Sequence, residues 1–171
     1  FPMRNVVTWN ALITGYTQNK LGHEALKCYT EMKAARVSPD VVTYICALKA
    51  CGIMGSRKAG ENIDIEIRKQ GLLQKEHVLG NALVDMYMKC GVLPKAQEVF
   101  NALLIRDVAT WNTLINGYAQ HGLSDRALDF FTQMQGEGIL PDAITFTCVV
   151  KACSGIRLLK KGVELHAEVR G

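Results

Sequence analysis

Apolar positions in this chain fall into short, evenly spaced helical stripes. Trp9, Leu12, Ile13 and Tyr16 stand at i, i+3, i+4 and i+7, one face of a helix. After a turn over Asn19 to Gly22, the residues Ala25, Leu26, Tyr29 and Met32 form a second stripe. The same patterning predicts helices over 8–19, 23–35, 43–53, 59–70, 78–89, 94–104, 110–121, 124–136, 145–154 and 160–170. Pro39 and Pro141 cannot continue a helix and mark the ends of second helices, whereas Pro94 suits a first turn. Two helices of about three turns cannot bury these faces alone, but stacked neighbours can, so the pattern predicts an all-α array of helix pairs with a concave wall.

The array is periodic. The run Val6-Val7-Thr8-Trp9-Asn10-Ala11-Leu12-Ile13-Thr14-Gly15-Tyr16 returns as Val108-Ala109-Thr110-Trp111-Asn112-Thr113-Leu114-Ile115-Asn116-Gly117-Tyr118, displaced by 102 residues. Ala25-Leu26, Met32 and Pro39-Asp40 return as Ala127-Leu128, Met134 and Pro141-Asp142. Further units start at Val41, His77 and Ala143, giving lengths of 35 (6–40), 36 (41–76) and 31 (77–107). Gly15 and Gly117 are expected to let helices approach closely.

Composition narrows the chemistry. With 49% hydrophobic residues among 171, the chain can bury a core, and 20 Lys and Arg against 16 Asp and Glu make it mildly attractive to polyanions. No apolar run approaches the roughly 18 residues a membrane span needs, so no membrane partner is expected. The absence of a starting Met or a targeting segment reads as a cut inside a longer polypeptide. Cys46 and Cys51 recur as Cys148 and Cys153, copies of one structural position within helices, which points to buried reduced thiols rather than a zinc site. His23, His77, His121 and His166 fall at differing points of their units with no recurring partner, and no phosphate-binding glycine motif occurs. No cofactor, small-molecule substrate or enzymatic activity is expected.

The polar positions suggest a reading surface instead. Asn10, Thr14 and Gln18 form a polar stripe beside the packing face, and Val7 lies three residues before Asn10. A small apolar side chain next to an amide recurs at Val78/Asn81 and Ala109/Asn112. Such a pair can pack on a base plane and hydrogen-bond its edge, and a carboxylate at the unit's end (Asp40, Asp107 or Asp142) can choose the amide's orientation. The plainer readings are a solvent-facing or helix-start amide and a turn aspartate. Trp9, Trp111, Tyr16 and Tyr118 could stack bases, but they lie on the apolar stripe and are read as core.

A unit near 35 residues with V-x-T-W-N-x-L-I-x-G-Y, then A-L and M, then P-D, resembles the pentatricopeptide repeat. The alternating lengths, with Gly80-Asn81-Ala82-Leu83-Val84-Asp85-Met86-Tyr87-Met88-Lys89-Cys90-Gly91 in the short unit, resemble the P, L and S motifs of the plant PLS subclass. The resemblance implies one continuous right-handed α-solenoid: 1–5 ends a preceding S-type repeat, 6–40 is P-type, 41–76 L-type, 77–107 S-type, 108–142 P-type and 143–171 an incomplete L-type repeat.

The resemblance also implies sequence-selective binding of single-stranded RNA, one base per repeat, with Asn10/Asp40, Asn81/Asp107 and Asn112/Asp142 favouring U over C. Val7, Val78 and Ala109 would pack on bases. Val42, Ile45, Glu76, Ile144 and Thr147 stand at the corresponding positions of the L-type units, and Lys89 matches a lysine that approaches phosphate, with a solvated lysine as the alternative. The implied order is 5′-U/C, any, U/C, U/C-3′. The parent would be a site-recognition factor for C-to-U editing in chloroplast or mitochondrion, with protein editing cofactors met through L-type repeats. The rival class is a peptide-binding or assembly scaffold of paired helices.

Overall fold

The computed structural model describes residues 5–170, without the side chains of 158, 159, 161, 162, 164–166 and 168–170. Of the segment 1–5 only Asn5 is therefore described, and the His166 side chain lies outside the described residues. No strand occurs among them. The helices are α1 (Val6–Gln18), α2 (Gly22–Ala34), α3 (Val41–Met54), α4 (Arg57–Lys69), the short α5 (Leu72–Lys75), α6 (His77–Lys89), α7 (Leu93–Ala102), α8 (Val108–Gln120), α9 (Ser124–Gly136) and α10 (Ala143–Arg170). The chain forms two compact units, residues 1–105 and 106–171.

In the first unit the hairpins α1/α2, α3/α4 and α6/α7 stack in order. α3 packs on both α1 and α2, and α6 packs on α3 and α4. Ile13, Ala25, Met32, Tyr44, Leu48, Ile67, Leu79, Leu83, Val84 and Val99 are fully buried between them. Full burial of each large aliphatic or aromatic side chain contributes about 1.5–3 kcal/mol, so these faces, more than helix propensity, hold the hairpins. The second unit repeats the scheme: α10 packs on α8 and α9 over Trp111, Leu114, Ile115, Ala127 and Met134. Trp9, Trp111 and Tyr118 are core residues, as their place on the stripe requires, while Tyr16 is half-buried.

The turns within hairpins share one geometry. The Leu21, Val92 and Leu123 amides each donate to the carbonyl five residues back, on Tyr16, Tyr87 and Tyr118 (2.9 Å in each), around a left-handed residue at Lys20, Gly91 or Gly122.

Three expectations are corrected. The predicted helices over 145–154 and 160–170 are one helix. Where α3 ends, Gly55 adopts φ 63°; 102 residues later stands Arg157, and there α10 runs on without a stop. Gly15 is not a close approach, since a Cβ there would meet nothing, whereas one at Gly22 would lie 2.8 Å from Met54 Cγ and 3.0 Å from the Ala50 carbonyl oxygen. Cys153 is exposed although its copy Cys51 is fully buried. Cys51 is covered by α6, and the Cys90 thiol just after that helix donates to its carbonyl (3.7 Å).

Candidate nucleic-acid interface

The helices α1, α3, α8 and α10 each begin at a short polar side chain that caps them, whereas α6 begins at Glu76 without such a bond. The Thr8 amide donates to Asn5 Oδ1 (2.9 Å), the Thr43 amide to Asp40 Oδ1 (3.0 Å), the Thr110 amide to Asp107 Oδ1 (2.9 Å) and the Thr145 amide to Asp142 Oδ1 (2.9 Å). Asp40 and Asp142 complete a reciprocal box, their own amides donating to the Thr43 and Thr145 hydroxyls at 3.1 and 3.0 Å. The cap fixes where each of these four helices starts, and hence which residues stand second and fifth in it.

The fifth residue of α1 is Asn10 and of α8 is Asn112. Asn10 Nδ2 donates to Asp40 Oδ1 at 2.9 Å, and Asn112 Nδ2 donates to Asp142 Oδ1 at 3.0 Å. The structure thus joins two of the three expected amide–carboxylate pairs by direct bonds across 30 residues. The third expected pair, Asn81 with Asp107, falls across the division between the units. Asn81 is half-buried and its Oδ1 is buried without a hydrogen-bond partner among the described residues.

The amides are not free polar side chains on an open stripe, as the sequence suggested. Asn10 is only 8% exposed and Asn112 6%, because the Thr43 and Thr145 hydroxyls donate to their Oδ1 atoms at 2.6 Å. Each amide keeps one N–H beyond these bonds. Among the described residues the buried polar side chains are Asn10, Thr43, Asp64, Thr110, Asn112, Ser124 and Thr145, and all but Asp64 and Ser124 belong to caps or amide clusters of this kind. Thr43 and Thr145 were missed from the sequence, although D-x-x-T at 40–43, 107–110 and 142–145 is a capping-box spacing that could have flagged them.

The carboxylates of the clusters are held ionised. Burial pushes the Asp40 carboxyl up, but the Thr43 amide, the Asn10 amide and the Thr43 hydroxyl together outweigh it and leave the pKa below the ordinary value. For Asp142 the Thr145 amide, and next the Asn112 side chain, lower it.

Around the clusters stand exposed aliphatic side chains. Val7, Val42, Val78, Ala109 and Ile144 are each the second residue of their helix, and all are exposed, Val7 at 70% and Ile144 at 62%. Exposed aliphatic side chains at one recurrent register offer apolar ledges to a planar ligand. The remaining candidates are less engaged. Ile45 and Glu76 are half-buried, and Leu79 takes the place of the threonine, so the long unit lacks the cluster. Thr147 is exposed with its hydroxyl donating to the Ala143 carbonyl (2.9 Å), and Lys89 pairs with Asp85 (2.7 Å). His23, His77 and His121 are exposed.

Comparison with known proteins places this architecture. The model of the PPR repeat family matches residues 4–52 and 106–155, and that of the PPR repeat matches 81–108. A pentatricopeptide repeat-containing protein of Arabidopsis thaliana is 38% identical over 164 residues, which is 96% of this chain and 21% of that protein. A chloroplastic relative from the same plant is 39% identical (94% and 22%), and a putative mitochondrial one is 36% identical (99% and 27%). The chain therefore spans about a fifth to a quarter of the length of these curated relatives. Among solved structures, the pentatricopeptide repeat protein PPR10 in complex with an 18-nt psaJ RNA element matches with a TM-score of 0.77 at 26% identity, over 89% of this chain and 22% of that one. PPR10 from maize matches with 0.68 at 20% identity, over 97% and 24%. The all-α helical-repeat fold expected from the sequence is the fold of these solenoid proteins.

Proposed function

The chain belongs to the pentatricopeptide repeat family, and from that premise we propose that it binds single-stranded RNA one base per repeat, favouring U over C where an asparagine faces the base. The carrying observation is the bonded amide–carboxylate pair, Asn10 with Asp40 and again Asn112 with Asp142, beside an exposed aliphatic second residue. A base can lie against Val7 or Ala109 while its edge meets the amide N–H that the protein leaves over. That PPR10 holds an RNA element supports RNA as the ligand class. The proposed order is 5′-pyrimidine, any, pyrimidine, pyrimidine-3′, the second base facing Ile45 and the third facing Asn81.

The alternation of 35, 36 and 31 residues supports a PLS-type array, with repeats at 6–40, 41–76, 77–107, 108–142 and 143–171. On this reading the longer protein is a plant site-recognition factor for organellar C-to-U editing. Chloroplastic and mitochondrial relatives support the compartment. This stretch supplies binding and no chemistry, and its L-type repeats are the place for protein editing cofactors.

Selection of bound sequences from a randomised RNA pool by the full-length protein tests the reading, with that order expected in the enriched set. Exchanging Asn112→Thr together with Asp142→Asn should move the preference at the matching base toward purine. An unmoved preference there counts against the assignment. A peptide ligand retained undiminished against excess RNA would favour the assembly-scaffold class.

A further inference from the structure

We propose that Thr43 and Thr145 are positioning residues for base choice, each locking the direction of the asparagine amide in the preceding repeat; this rests on the RNA reading above. Both are the third residue of the next repeat's first helix, α3 or α10, and both are fully buried.

The lock follows from counting protons. An ionised carboxylate only accepts, so Asp40 Oδ1 at 2.9 Å requires Nδ2 of Asn10 to face it. That turns Oδ1 of Asn10 toward Thr43 Oγ1 at 2.6 Å, and an amide oxygen likewise only accepts, so the threonine hydroxyl must donate. Thr43 has one proton and two acceptors within reach, Asn10 Oδ1 at 2.6 Å and Asp40 Oδ1 at 2.9 Å, and the shorter contact is to the amide. A flipped amide would set its oxygen against the carboxylate and forfeit the threonine bond. The direction of the amide is thereby settled before any ligand arrives. What it offers a base is the second N–H, a donor suited to a pyrimidine carbonyl rather than to an N–H edge.

The cluster is built twice. Asn112 Nδ2 to Asp142 Oδ1 is 3.0 Å, Thr145 Oγ1 to Asn112 Oδ1 is 2.6 Å and Thr145 Oγ1 to Asp142 Oδ1 is 3.0 Å. At both places the hydroxyl makes a bond that capping does not require, to the amide oxygen of the preceding repeat. Where the long unit carries Ile45 in place of asparagine, Leu79 replaces the threonine, so the hydroxyl is absent where there is no amide to direct.

The test uses the full-length protein and RNAs that differ only in the base opposite Asn10 or Asn112. Thr145→Val should lower the pyrimidine-over-purine ratio opposite Asn112 by about three- to tenfold, the scale of one hydrogen bond, and leave the ratio opposite Asn10 unchanged. Thr43→Val should do the reverse. Thr→Ser at either site keeps the hydroxyl and should retain discrimination, and Thr→Ala gives the same readout should a valine variant unfold on melting. Equal weakening toward all bases at every position, or an unchanged ratio, overturns the assignment. A wild-type protein that discriminates at no position overturns the RNA reading beneath it instead.

Discussion

An asparagine amide has two donors and an oxygen with two lone pairs, and in Asn10 and Asn112 one donor and one lone pair are taken by the protein itself. The same bonds make Asp40 and Asp142 responsive to acid. Each folded carboxyl pKa is depressed, so the stabilisation is complete above the unfolded value of about 3.9 and fades as pH falls through the folded value. Urea midpoints of the wild type should therefore drop between about pH 5 and pH 3 more steeply than those of an Asp40→Asn, Asp142→Asn variant. A second residue-scale effect concerns Tyr87, whose hydroxyl donates to the buried Asp64 at 2.7 Å while Arg68 holds the other oxygen at 2.6 Å. Tyr87→Phe leaves a buried charge short of one partner and should cost about 1.5–3 kcal/mol in chemical unfolding. At this scale the sequence disclosed the asparagines and aspartates through their recurrence. It hid their depth, because a polar stripe looks open until the next repeat's threonine is packed over it.

Helix ends show how much local chemistry the fold tolerates. Gly122 and Gly138 adopt φ 74° and 77°, and 102 residues earlier Lys20 and Arg36 hold the same left-handed turns at φ 58° and 59°. A side chain costs about 1–2 kcal/mol there, partly offset by glycine's greater freedom when unfolded. Lys20→Gly and Arg36→Gly should each stabilise by about 0.5–1 kcal/mol in thermal or urea melts. The opposite sign is expected at Gly22, where the α2–α3 contact brings the Ala50 carbonyl oxygen to 3.0 Å of a new Cβ, so Gly22→Ala should destabilise by about 1–2 kcal/mol. Helices from α1 to α9 were legible because their apolar spacing repeats, apart from the four-residue α5, which is too short to show a period. The break expected between 154 and 160 is absent, and where α3 ends at Gly55 the later repeat has Arg157 inside α10.

At the scale of the whole chain the charge is only +4, and many cations are already committed: Arg57 to Glu61, Arg68 to Asp64, Lys95 to Glu98, Lys33 to Glu66 and Lys89 to Asp85. Apart from Arg68 with the buried Asp64, such pairs are exposed and contribute under about 1 kcal/mol each, so they yield to a phosphate without unfolding anything. Asp85→Asn in the full-length protein should release Lys89, tighten binding to any RNA sequence, and steepen the salt dependence by up to about 0.7 in log–log slope. An unchanged slope would mean that Lys89 never meets the backbone. The 102-residue periodicity made the helical array visible before any coordinate, since self-similarity survives where single residues are ambiguous. The sharing of Thr43 and Thr145 across repeat boundaries has a practical corollary for anyone recombining such modules. A cassette excised between residues 40 and 41 takes Asn10 and Asp40 but abandons Thr43, so a transplant will keep its specificity only if the recipient's first turn carries a hydroxyl at the third place.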